Sequence, residues 1–144
     1  MERDAPMSDT FREAHLIMER DEPMSNVFKD IDVFQSACDQ TPSPANYDMY
    51  LGLIDEEYGE LVEAVIAKDP IEQLDALVDI LVVTIGAIRA GNMDGEGAWK
   101  EVMDTNFAKI DPDTGKVRKR EDGKVLKPIG WRPPDLKAFI DPRL

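Results

Sequence analysis

The chain holds a single cysteine and a single histidine. One thiol, Cys38, excludes an intrachain disulfide and fits a reducing compartment, so the cytoplasm is the expected location. One Cys and one His also leave too few sulfur and nitrogen donors for a structural zinc site. No apolar run reaches the roughly 18–20 residues of a membrane span without an acid inside it, so a membrane partner is not expected. The opening residues, MERDAPMSDT, lack the basic start and apolar stretch of a signal peptide. Positive charge is scarce as well: 17 Lys and Arg stand against 30 Asp and Glu, a formal net charge of −13. Such a chain repels phosphate backbones, which argues against nucleic acid as a partner. It would repel a nucleotide too, unless bound cations reversed the local sign.

At 144 residues the chain is long enough for one domain with a real core. A short repeat opens it: MERDAPMSDTF (1–11) returns as MERDEPMSNVF (18–28), and each copy offers a helix cap, Ser8 and Ser25. This divides the sequence into an N-terminal extension with a short helix, residues 1–24, and one domain, residues 25–144. The prolines of TPSPAN (41–46) mark a loop. From Tyr47 to about Lys68 the apolar residues Ile54, Tyr58, Leu61, Val62, Val65 and Ile66 recur at helical spacing. Asp69 and Pro70 then start a second helix, with Glu72 in a capping-box position and Gly91 as the stop. A third helix is expected over residues 95–110. In the tail, Asp122-Gly123 signals a tight turn. The expected fold is all-α with a small C-terminal hairpin or ordered loop.

The acids are arranged unevenly. At about 100° per residue, Glu56, Glu57, Glu60 and Glu63 share an arc of about 120° at one edge of the first helix's apolar stripe. In the second helix, LDALVDILVVTIGAI (74–88), Asp75 and Asp79 lie one turn apart on a segment apolar nearly all round. Such a helix is expected to be buried. No Lys or Arg lies between Pro70 and Ile88 to compensate these acids, and an uncompensated buried carboxylate costs several kcal/mol, to order of magnitude. A divalent cation is the natural partner. Oxygen donors without His or Cys suit Mg²⁺, with Mn²⁺ as a substitute.

DEEYGELVEA (55–64) followed by DALVDILVVTIGA (75–87) resembles the all-α nucleoside triphosphate pyrophosphohydrolases of the MazG-like group. That superfamily also holds dimeric dUTPases and phosphoribosyl-ATP pyrophosphohydrolase. Glu56, Glu57 and Glu60 match its EExxE pattern directly, and TNFAKID and DGKVLKPIGWRPPDL resemble the tail of short phage and bacterial members. The second motif, ExxD, fits Glu72 and Asp75 by letter, whereas the apolar run that follows the family's acid selects Asp79. The ligand set carried over is therefore Glu57, Glu60, Glu63, Asp75 and Asp79, with Glu72 in reserve. The resemblance implies hydrolysis of a (d)NTP to (d)NMP and diphosphate, with Glu56, Glu57 and Lys109 catalytic. It implies Asn106, Lys109, Lys124 and Lys127 at the phosphates, Trp131 at the site or pinning the tail, and Phe34 and Gln35 at the base. It also implies a helical bundle completed as a homodimer or homotetramer. The short, phage-like chain favours (d)GTP, with dUTP or dCTP as the alternative. A non-catalytic acidic helical interaction module is the competing class, and it would keep its acids on exposed faces.

Overall fold

The computed structural model describes residues 26–140. The N-terminal extension, its repeat and the caps expected at Ser8 and Ser25 lie outside the described residues. Four helices are described: α1 (Val27–Ala37), α2 (Pro44–Ile66), α3 (Pro70–Ala90) and α4 (Gly95–Phe107), with a 3-10 turn at Lys137–Phe139. The fold is all-α, and pairing among the described residues is limited to two isolated antiparallel bridges, Ile110 with Val117 and Lys119 with Val125. No described helix is long and apolar enough to cross a membrane.

Each helix start has a local cause. Asn26 caps α1, its Oδ1 accepting from the Lys29 N–H at 3.0 Å. α2 begins inside TPSPAN rather than after it. Ser43 Oγ accepts from the Asn46 N–H at 3.0 Å, and Pro44 occupies the first turn, where its fixed φ suits a helix and its missing N–H costs nothing. α3 starts as its sequence predicts: Asp69 Oδ1 accepts from Ile71 and Glu72 N–H groups, both at 3.1 Å. The reciprocal half of a capping box is absent, because the Asp69 N–H is already donated to the Ala64 carbonyl. Gly91 caps α3 without a left-handed backbone; Asn92 takes that conformation, at φ 53.

The chain divides into two compact units, one ending at Met93 and the other spanning Asp94–Ile140. In the first, α2 and α3 form an antiparallel hairpin and α1 packs on α3. Tyr50, Val83, Ala87 and Ala90 form the core, with Tyr47, Leu53 and Ile54 against them. At one end of the seam, Gln73 Nε2 donates to the Ala64 carbonyl at 3.3 Å. At the other, Gly86 meets Tyr50 so closely that a Cβ there would lie 2.5 Å from the ring. In the second unit, Trp131 Nε1 donates to the Thr105 carbonyl at 2.7 Å and ties the tail to α4. The Asp122-Gly123 turn is present: Arg120 N–H donates to the Lys124 carbonyl at 2.8 Å, with Gly123 at φ 87.

Candidate functional site

The carboxylate site follows from how α2 is rotated. Its α3-facing residues include Tyr50, Ile54 and Ala64. At about 100° per residue these lie within about 60° of Glu57. The apolar stripe read from the sequence, centred on Tyr58 and Val65, is turned away by about 80–90°. Tyr58, Val62 and Val65 are accordingly exposed. Glu57 therefore occupies the middle of the seam, not an edge of it.

Counting from the two anchored ends places Asp79 across the seam from Glu57, since each lies seven residues, two helical turns, from the Tyr50–Gly86 contact. The electrostatics agree. Burial, foremost, pushes the Glu57 carboxyl above the usual carboxylate range, and the charges of Glu60, Asp79 and Glu56 push it the same way, as does a hydrogen bond with Glu60. Glu57 Oε2 is fully buried and has no hydrogen-bond partner. A buried, partnerless carboxylate oxygen costs stability on its own. Among the described residues no group of three or more His, Cys, Asp or Glu is already arranged as a metal site. The donor chemistry nevertheless fits a hard cation: several carboxylates, one with an oxygen held without a partner.

Other expected site residues fall differently. Asp75 is exposed and Asp79 half-buried, so the second helix does not bury its acids uniformly. The reason is that α3 has two apolar faces and the hairpin covers only one. Ala76, Val83, Ala87 and Ala90 face inward, while Leu74, Leu77, Val78 and Leu81 are 63%, 49%, 47% and 61% exposed. Glu56, Glu60, Glu63 and Glu72 are exposed. Phe34 is 59% exposed, whereas Gln35 is only 1% exposed. Gln35 Nε2 donates to the Gly86 carbonyl and its Oε1 accepts from Arg89, both at 3.1 Å. Gln35 thus joins α1 to α3 instead of facing a ligand. Arg89 itself went unread in the sequence. The signal for it was available, since a lone guanidinium on an apolar helix must find acceptors.

In the second unit, helix α4 ends at Phe107, so Lys109 lies in the turn beyond it and not on the helix. Its Nζ still donates to Asn106 Oδ1 at 3.1 Å and stands 5.0 Å from the Trp131 ring centre. Lys127 Nζ stands 4.8 Å from the same ring. Lys109, Arg118 and Lys127, with Ile110 and Leu126, line a cleft of about 530 Å³. Lys124 is exposed on the turn.

A family model described as phosphoribosyl-ATP pyrophosphohydrolase matches residues 31–106, just over half of the chain. The match includes Glu56, Glu57, Glu60 and Asp79 and stops before Lys109 and Trp131. No curated protein matches the chain.

Proposed function

Because the chain belongs to the phosphoribosyl-ATP pyrophosphohydrolase family, we propose that it is a divalent-metal-dependent nucleoside triphosphate pyrophosphohydrolase of the MazG-like type. The family cleaves a phosphoanhydride bond; the nucleotide, the metal and the type are the proposal. The supporting observation is Glu57, an acid in the seam with one oxygen buried and partnerless beside three other carboxylates. A non-catalytic acidic module has no use for an acid held there, although the exposed Glu56, Glu60, Glu63, Glu72 and Asp75 would suit it.

Glu57, Glu60 and Asp79 would hold Mg²⁺ or Mn²⁺, with Asp75 and Glu63 one helical turn from them as further carboxylates. When bound, the cation supplies charge that offsets the carboxylates and the triphosphate and lowers the pKa of water. Water oxygen bonds to the α-phosphorus, the α–β bridging bond breaks, and diphosphate leaves. Glu56 accepts the proton released by the water. For the phosphate charge, the resemblance to the family supports Lys109, Lys127 and Lys124 as the cations, and Asn106, whose Oδ1 accepts from Lys109, as the residue that orients it. Phe34 contributes an aromatic surface for the base, for which guanine is the proposed identity.

Product analysis tests this reading. Incubation with Mg²⁺ and a panel of NTPs and dNTPs, with phosphoribosyl-ATP included, should yield the nucleoside monophosphate and pyrophosphate without orthophosphate. NDP with orthophosphate would refute attack at the α-phosphorus. Cleavage of phosphoribosyl-ATP alone would refute the triphosphate assignment, and preference for dUTP or dCTP would refute the guanine assignment.

The proposed partner is a second copy. The outer face of α3 places Leu74, Leu77, Val78 and Leu81 in contiguous helical positions. A patch of that kind on one chain is matched by the same patch on another across a two-fold axis. Leu77→Glu with Leu81→Glu should therefore convert a dimer or tetramer into a smaller species in sedimentation velocity. A wild-type protein that sediments as a monomer at micromolar concentration would exclude the partner.

A further inference from the structure

Arg89 is the single basic residue of α3, and its guanidinium hydrogen-bonds to α1 and to the segment that follows it. Nε donates to Asp32 Oδ1 at 2.6 Å. Nη1 donates to Gln35 Oε1 at 3.1 Å and to the Gln40 carbonyl at 2.7 Å. Nη2 donates to Ser36 Oγ at 3.2 Å. A planar fork with fixed donor directions specifies position as well as attraction, which an ammonium cannot reproduce. Behind it, the buried Gln35 amide donates to the Gly86 carbonyl, and Gly86 has no room for a Cβ: one would lie 2.8 Å from Gln35 Nε2. Tyr50 Oη donates to Gln40 Oε1 at 2.5 Å and fastens the same segment to α2. α1 is thus seated at one place on the hairpin by a connected polar node.

The position of that node matters. Gly86 lies seven residues beyond Asp79, about two turns or ~10.5 Å along α3 and about 20° away around it. The node and the carboxylates therefore share one seam. The short α2–α3 connection closes the seam's other end, so among the described residues of this unit α1 is the one further helix that packs on the hairpin. Phe34, next to the buried Gln35 on α1, has a largely exposed ring. Under the hydrolase reading above, in which Phe34 meets the base, a nucleotide with its α-phosphorus at Glu57 and Asp79 would extend its base toward α1.

We propose that Arg89 is a positioning residue that seats α1 and Phe34 at a fixed distance from the carboxylates, and so sets base selection rather than the rate of phosphoanhydride cleavage. The inference rests on the hydrolase reading above. A misplaced α1 weakens contacts made equally by substrate and transition state, which raises KM and leaves kcat.

Two measurements test it. Steady-state kinetics of Arg89→Ala on the best and worst bases should show KM for the best raised about tenfold, kcat within about threefold, and the ratio between bases flattened. Arg89→Lys should recover the ion pair with Asp32 and only part of the selectivity. Asp32→Asn, which keeps the guanidinium, should give a milder shift in the same direction and serves if Arg89→Ala fails to fold. Hydrogen exchange reads the seat without activity: Arg89→Ala should speed exchange over 27–37 while Val83 and Ala87 stay protected. A kcat loss equal to the KM change, full recovery by lysine, an unchanged base ratio or exchange that rises throughout α2 and α3 would each overturn the proposal. If the wild type hydrolyses no nucleotide, the hydrolase reading fails on its own; the exchange arm still decides whether Arg89 seats α1.

Discussion

Asp79→Asn is expected to lower turnover by about 10³-fold with the fold intact, while Asp75→Asn, one turn away, stays within about threefold. The difference comes from the seam. Asp79 is half-buried and acts on Glu57 across the hairpin, whereas Asp75 is exposed. An exposed acid that does not act on Glu57 is screened by water and salt and is replaceable, whereas Glu60, although exposed, acts on Glu57 by charge and by a hydrogen bond. Glu57→Gln and Glu60→Gln should match Asp79→Asn in activity. Glu57→Gln should also stabilise the metal-free protein. The folded-state pKa of Glu57 is raised, by burial first and by its acidic neighbours next. It therefore holds a proton more tightly folded than unfolded. Above the folded-state pKa this costs stability, and the cost is relieved as pH falls through that pKa. The Tm of Glu57→Gln should exceed wild type at neutral pH by a margin that shrinks on acidification. Millimolar Mg²⁺ should raise the wild-type Tm and leave the variant nearly unmoved. Equal melting of the two proteins without metal, or full turnover in Asp79→Asn, would show that the carboxylates are ordinary surface.

The helices were legible because their start signals are local. Asp69 caps its helix and Pro70 opens the first turn, so tertiary structure adds little to that start. The start of α2 was misread for the same kind of reason: Pro44 breaks a helix from within but begins one, and only Ser43 as the cap decides which. The rotation of α2 was beyond reach. Its sequence carries apolar residues over a wide arc, and the helix turns toward the face where Ala64, Tyr50 and Gly86 allow close approach, leaving Tyr58 and Val65 outside. Periodicity reports that a face is apolar, not which partner covers it. The inference that Asp75 is buried failed there, because α3 has two apolar faces and this chain alone covers one. Asp79 survived, since it borders the covered face. Gln35 could not be separated from Phe34 by sequence, yet adjacent residues on a helix point about 100° apart, and one became a strut while the other stayed in solvent.

Lys109→Ala is expected to lower kcat about 10²-fold while raising KM far less, the pattern of a donor that acts as charge develops. Diphosphate departs with negative charge moving onto it, and a compact ammonium held in place opposes that charge without reorganising. Lys109 is held: Asn106 Oδ1 accepts from it and the Trp131 ring lies beneath it, an arrangement unlike a free surface lysine. Lys127 shares the ring but sits on the tail, and Lys124 is exposed on the turn. Their alanine variants should therefore change mainly KM, as uniform binding contacts do. A structural effect is separable, because the Trp131 tie to the Thr105 carbonyl does not depend on lysine. Trp131→Phe removes that tie and keeps a ring under Lys109, so it should lower Tm more than Lys109→Ala does and lower kcat less. If Lys109→Ala leaves kcat unchanged, the role passes to Arg118 before Arg120. Arg118 lines the same cleft, whereas Arg120 is committed to Asp122, whose carboxyl it holds below the usual range.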